Sequence, residues 1–290
     1  MSKPPPPIRP LPKRRSDRWA WSFFAVVFAT LLTTKFLDQE VDAPLPWGWI
    51  LAGLFAVGSA AWIAWTLRRA KRFSAENEAA LAMLRAGELD AARERFAALV
   101  KRWPRPRNLN HVALFNLGWT DLLAGELEHA RERWAQIEVE LDLKTRAGFV
   151  TLLPCRLAYV DALLGNLDDA RRWLASSRER GAEDAANRAV IEAWETAAEA
   201  VVACRADEPG KARARFAERW RALEDAATGE VLRPLRVLRA FAIHAASNGA
   251  DGAEVERVLA PVREHAGREL LHLAARWPAM RAFLAERGLG

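Results

Sequence analysis

The stretch that decides the fold is GELDAARERF at residues 87–96, which recurs as GELEHARERW at 125–134 and as GNLDDARRWL at 165–174. A shorter copy, ARARF, lies at residues 212–216. In the three longer copies a turn glycine precedes an alanine and then a large apolar residue at helical spacing. The small alanine lets two helices approach closely, and the large side chain fills the groove beside it. A motif that returns at a nearly constant interval predicts a stack of similar units.

The whole chain from residue 74 onward predicts helix. Alanine, leucine, arginine and glutamate dominate it, and apolar residues recur at three- and four-residue spacing. Because a single helix pair cannot bury its apolar stripe alone, stacked neighbours must build the core. We predict helix pairs near residues 75–102, 108–143, 147–180, 185–227 and 229–265, and a terminal capping helix at about 268–287.

These units resemble the tetratricopeptide repeat (TPR) family, whose second helix carries the same glycine, alanine and large apolar residue. Pro104 follows Phe96 by eight residues, as in that family, and Leu117-Gly118 matches its Leu-Gly pair. The turn glycines are 38 and 40 residues apart, against about 34 in the family, so loops or helices are extended. The resemblance implies an all-α solenoid of about four to five helix pairs. Another class of Ala- and Glu-rich helical repeat has a similar pattern.

Two apolar segments precede the repeats, at residues 19–37 and 47–67. A bilayer core takes about 20 mostly apolar residues in a helix, and 47–67 carries no charged residue. Tryptophans stand near the ends of both segments, where amphipathic rings favour the membrane interface. We therefore predict two transmembrane helices joined by a short external loop at 38–46. The alternatives are a pair of buried core helices and, for the first segment, a cleaved signal peptide.

Basic residues on both outer sides of the apolar segments predict the orientation. Lysine and arginine accumulate in the tail at 1–18 and in the linker at 68–73, whereas the loop between the segments is acidic. Positive flanks stay in the cytoplasm, so both termini and the repeat domain at 74–290 are expected there. The Ala/Arg-rich composition suggests a bacterial inner membrane. The membrane-flanking basic residues are Arg14, Arg15, Arg68, Arg69, Lys71 and Arg72.

The charge balance argues against nucleic-acid binding. The formal net charge is +6, but residues 74–290 hold 32 Lys and Arg against 33 Asp and Glu. The positive excess therefore lies near the apolar segments, where it would attract anionic lipid headgroups. A protein that neutralises phosphates needs a basic surface on the domain itself. The lipid bilayer, rather than DNA or RNA, is the expected charged partner.

The sequence shows no catalytic or metal-binding pattern. A nucleophile elbow, a phosphate loop and an HExxH motif are all missing. The two cysteines, Cys155 and Cys204, have no metal-ligand spacing and read as small apolar fillers. His265 and His272 read as ordinary surface or partly buried histidines. We therefore predict a non-enzyme without cofactor, metal or small-molecule substrate.

The TPR resemblance implies a partner-binding groove lined by the first helix of each pair. The residues expected there are Phe115, Asn116, Trp119, Arg156 and Tyr159, beside Val112 and Leu152. Some TPR domains hold the C-terminal carboxylate of a peptide in a clamp of five residues. Asn116 and Arg156 match two of the five clamp positions, whereas Asn77, Leu81 and Leu152 depart from it. For Phe115 and Trp119, ordinary helix packing is the alternative.

Taken together, the sequence predicts a membrane-anchored scaffold that binds a segment of a protein partner. The alternative is a structural or assembly subunit of a larger membrane complex, in which the transmembrane hairpin makes the specific contacts. The stretch Pro4–Pro12 favours an extended polyproline II conformation that could dock on an aromatic groove. For this stretch, a solvated tail is the other interpretation.

Overall fold

Every element of the computed structural model is an α-helix. It describes residues 47–105, 107–140, 149–182, 184–226, 229–263 and 270–289. The all-α prediction is therefore confirmed. The helices are α1 Trp47–Arg85, α2 Leu89–Arg102, α3 Arg107–Leu123, α4 Leu127–Glu140, α5 Phe149–Leu164, α6 Leu167–Gly181, α7 Arg188–Arg205, α8 Pro209–Ala226, α9 Gly229–Ala246, α10 Gly252–Arg263, α11 Leu271–Ala274 and α12 Pro278–Glu286.

The chain divides into two compact units, Met1–Ala75 and Glu76–Gly290. The first unit contains the start of α1, where several apolar side chains, including Leu54, Val57 and Ile63, are more than half exposed. The second unit contains the end of α1 and all later helices, and it holds the predicted groove residues.

The prediction of two transmembrane helices is wrong. Within the described residues, no helix combines the length and the apolar character that crossing a membrane requires. The predicted second span, 47–67, forms the first half of α1. This half does not stand as a separate apolar helix, because α1 continues directly into the basic stretch 68–72. The predicted first span, 19–37, lies outside the described residues, as do Arg14, Arg15 and the stretch Pro4–Pro12.

The turns inside the helix pairs share one backbone geometry. Gly87, Gly125 and Gly165 have φ values of 80°, 81° and 90°, and the corresponding residues of the next two pairs are Asp207 and Asn248, at 62° and 50°. This left-handed conformation ends a helix and reverses the chain, because the next amide then bonds back to the carbonyl five residues before it. One such bond runs from Glu126 N to Asp121 O, at 2.9 Å. Asp and Asn tolerate this conformation better than other non-glycine residues.

The repeated alanines and large apolar residues lie in the core, as close helix packing requires. Ala92, Ala130, Ala170 and Ala212 are buried, and so are the large side chains that follow them: Phe96, Trp134, Leu174 and Phe216. Each second helix contacts the first helix of the next pair, and the first helices α5, α7 and α9 also contact one another. The pairs from α3 to α10 therefore stack in chain order.

Buried ion pairs join successive units. On the second helices, Arg93 Nε is 2.7 Å from Asp121 Oδ1, and Arg131 Nε is 2.6 Å from Asp161 Oδ1. The two arginines occupy equivalent positions of the repeat, and each reaches a buried carboxylate at the end of the following first helix. In the third unit the equivalent arginine is Arg171, and the following first helix, α7, has Ala203 in place of the carboxylate. Arg171 instead pairs with Asp168 on its own helix, at 2.9 Å.

The predicted single terminal helix at about 268–287 is interrupted. Trp277 has extended backbone angles and Pro278 begins α12, so the segment consists of two short helices. Proline fits the first turn of a helix, where its missing amide hydrogen is not needed. The break lets Leu270–Leu289, called the strap below, change direction between α11 and α12.

Candidate partner-binding groove

Arg156 lies between two indole rings. Its guanidinium carbon is 4.3 Å from the ring centroid of Trp119 on α3 and 3.9 Å from that of Trp194 on α7. Phe115 and Trp134 are farther away, at 5.6 and 5.9 Å. A guanidinium is planar and weakly hydrated, so it stacks flat on aromatic faces more readily than an ammonium does. Arg156 is only 9% exposed and ties α3, α5 and α7 together.

Tyr159 belongs to the interior rather than to an open groove. Its side chain is fully buried, and its hydroxyl is 3.0 Å from Nε2 of His272 on the strap. The ring also contacts Trp194, with centroids 5.1 Å apart. Burial raises the pKa of the Tyr159 hydroxyl well above its usual range, because a charged phenolate would be poorly solvated there.

Phe115 and Asn116 remain half-exposed, unlike Trp119, Arg156 and Tyr159. The Asn116 amide donates a hydrogen bond to the side-chain oxygen of Asn77 on α1, at 2.9 Å. The Phe115 ring lies 6.1 Å from Trp134, whose indole N–H donates to the carbonyl of Phe115 at 3.1 Å. Trp119, by contrast, is 8% exposed, so the packing alternative holds for its ring.

Four half-exposed residues on α3 and α5, together with the guanidinium of Arg156, define a candidate surface, called the groove mouth below. Val112 lies one helical turn before Asn116 on α3, and Leu152 lies one turn before Arg156 on α5; both are half-exposed. The contact between Arg156 and Phe115 joins the two helices. The mouth combines three apolar side chains, one amide and the edge of a guanidinium: Val112, Phe115, Leu152, Asn116 and Arg156.

The strap fills the other end of the predicted groove. His272 on α11 is fully buried against Tyr159, so the prediction of a surface or partly buried histidine is wrong for this residue. Trp277 packs edge-on against Phe241 of α9, with centroids 4.9 Å apart. Arg276 reaches Glu128 at the start of α4, at 2.6 Å. The sequence of this segment indicates an apolar helix face, but it does not indicate which surface of the domain that face covers.

Two carboxyl groups with a raised pKa lie beside arginines. Burial raises the pKa of Asp121, while Arg93 and Arg133 oppose that rise. Burial also raises the pKa of Glu195, which lies near Arg178. Over the same residues, no group of three His, Cys, Asp or Glu side chains is arranged to hold a metal ion.

The predicted membrane-flanking residues that are described all lie on α1. Arg68, Lys71 and Arg72 are exposed, and the Arg69 guanidinium lies 4.7 Å from the Trp65 ring. They are separate in sequence from the groove mouth and contribute no side chain to it.

Comparison with known proteins adds no identification: no protein-family model, curated protein or solved structure matches the chain. The function must therefore be argued from the geometry of the groove mouth and the strap.

Proposed function

We propose that the domain Glu76–Gly290 is a protein-interaction module that binds an extended or helical segment of a protein partner at the groove mouth. The observation that carries the proposal is the joint exposure of Phe115, Asn116 and Leu152 around one guanidinium edge. Apolar side chains supply buried area to such an interface, and an amide bonds the partner's backbone.

The proposed contact surface is smaller than the groove that the sequence predicts. Trp119 and Tyr159 are packed inside the domain, so they support the mouth from behind and do not touch a partner. A bound segment would lie across the first turns of α3 and α5, where Val112 and Leu152 stand. The mouth has little charge, which favours an apolar segment over an acidic or basic one.

The test begins with a selection for binding peptides. A random 15-residue peptide library displayed on phage is selected against the immobilised full chain and counter-selected against the bare support. The chosen peptide is then titrated by fluorescence anisotropy. We expect Leu152→Glu and Asn116→Ala to weaken binding at least tenfold, which corresponds to about 1.4 kcal/mol.

Two matched controls separate the mouth from the rest of the surface. Val139→Glu changes an exposed apolar residue of α4, and Asn108→Ala changes an exposed amide at the start of α3; neither should alter the affinity. Equal binding by the mouth variants and the controls would reject the proposal. Arg156→Ala is unsuitable as a probe, because loss of its stacking between two indoles should lower the melting temperature.

A further inference from the structure

The strap contacts units that are distant in the sequence. In a simple solenoid each repeat contacts only its neighbours, so local unfolding at one end has a smaller effect on each successive repeat. Here α11 contacts α3, and His272 bonds Tyr159 of α5 across a separation of 113 residues. The last helix pair therefore touches the second and third units as well as the fifth.

Polar contacts hold the middle of the strap, at Arg276. Arg276 pairs with Glu128 at the start of α4. Arg205, at the end of α7, donates to the carbonyl of Leu163, at 2.9 Å, and to that of Arg276, at 3.1 Å. A single guanidinium thus joins the ends of α5 and α7 to the strap. Burial lowers the pKa of Arg205, as expected for a cation that is partly removed from water.

Most large apolar side chains of the strap are buried, and Leu271 is the exposed exception among its leucines. Each of the following is less than a tenth exposed: Leu270, Leu273, Trp277, Met280, Phe283, Leu284 and Leu289. On α12, Phe283 packs against Phe241 and His244 of α9, with centroids 5.4 and 5.3 Å away. This burial makes the strap a fixed part of the fold rather than a lid that a partner displaces.

We propose that the strap closes the stack on itself and couples the opening of α3 and α5 to that of the C-terminal end. Contacts that skip the intervening units give the two ends a direct connection. Resting on the proposed function, the coupling also has a consequence for binding: a segment bound at the mouth stabilises the strap, and a stabilised strap tightens binding by the same factor.

Hydrogen exchange of the full chain, followed by mass spectrometry, tests the coupling. Phe283→Leu should loosen the packing of α12 on α9, because the Phe283 ring contacts Phe241 and His244 of α9. The conservative change keeps the domain folded, and Met280→Leu offers a second variant on the same helix. In the Phe283→Leu variant we expect backbone amides of α3 to exchange faster than in the wild type. The acceleration in α3 should at least equal that in α7, although α7 lies between α3 and α9 in the stack.

A second background, a double variant that lacks polar contacts of the strap, tests whether the strap causes the faster exchange in α3. Arg276→Ala together with Tyr159→Phe removes the polar contacts of the strap to α4 and α5. In that background Phe283→Leu should no longer accelerate exchange in α3. The proposal would be overturned if the increase in exchange rate fell steadily from α9 through α7 to α3. It would also be overturned if Phe283→Leu still accelerated exchange in α3 in the second background.

Discussion

Replacing Gly118 by alanine should destabilise the domain although alanine is the better helix former. Gly118 lies in the interior of α3, and a Cβ atom there would be 2.6 Å from Nε1 of Trp134 and 2.9 Å from its Cδ1. The indole is fully buried and donates to the carbonyl of Phe115 at 3.1 Å. It cannot retreat from the new methyl group without losing that hydrogen bond.

The magnitude follows from three opposing contributions. Overpacking a close-packed site costs about 1–3 kcal/mol, and the loss of a buried hydrogen bond costs about another 1 kcal/mol. The higher helix propensity of alanine returns about 1 kcal/mol. A net loss of about 2 kcal/mol lowers the melting temperature of a domain of this size by roughly 4–8 °C.

Thermal and urea denaturation of the full chain, followed by circular dichroism, measure this loss. Gly210→Ala is the matched control, because it lies in the first turn of α8 with nothing within 4 Å of the added Cβ; its stability should stay constant or rise. Combining Gly118→Ala with Trp134→Phe should cost less than the sum of the two changes. If Gly118→Ala melts at or above the temperature of the wild type, the close approach of α3 and Trp134 is refuted.

Three further predictions concern the turns, the buried ion pairs and the thiols. Gly165→Ala should lower the free energy of unfolding, measured by urea denaturation, by about 1 kcal/mol more than Gly87→Ala does. Both glycines have positive φ, but only a Cβ atom at residue 165 would meet the guanidinium of Arg205, at 2.8 Å. Asp161→Asn should cost about 1.5–3 kcal/mol, since it removes a charge-assisted hydrogen bond between the buried carboxylate and the partly exposed Arg131, whereas exposed Asp168→Asn should change stability by less than about 0.5 kcal/mol. Burial raises the pKa of Cys155 to about 12, so iodoacetamide at pH 8 should label it only after denaturation. For the same reason stability should fall as the pH rises above about 9, where the unfolded thiol loses its proton first.

The features that the sequence predicted well are local. Helical periodicity and the turn glycines set the helix pairs, because a left-handed turn residue followed by an alanine constrains only a few neighbouring residues. The pattern faded where Asp207 and Asn248 replace glycine, although both adopt the same positive φ. A search for Gly, Asn and Asp together, rather than for glycine alone, would have placed the last two turns.

The features that the sequence did not reveal depend on how the stack curves. Trp194 reaches Arg156 only because α5 and α7 pack side by side, and His272 reaches Tyr159 only because the chain returns at the strap. Small changes in successive helix crossings add up over several units, and no local pattern specifies their sum. The wrong membrane prediction has another origin: the apolar pattern of 47–67 indicates a separate helix, whereas α1 runs without a break through the basic stretch 68–72 to Arg85.

Burial decides which groove residues are open to a partner. Arg156, Trp119 and Tyr159 fall on the side of the first helices that a TPR-like groove would expose, yet the strap and the neighbouring indoles already cover them. Fully burying a large apolar side chain gains about 1.5–3 kcal/mol, and the strap buries several. A partner that displaced it would have to replace all of that free energy before gaining any affinity. Binding at the mouth requires no such exchange, so half-exposed Phe115, Asn116 and Leu152 are the residues through which we propose that this domain recognises another protein.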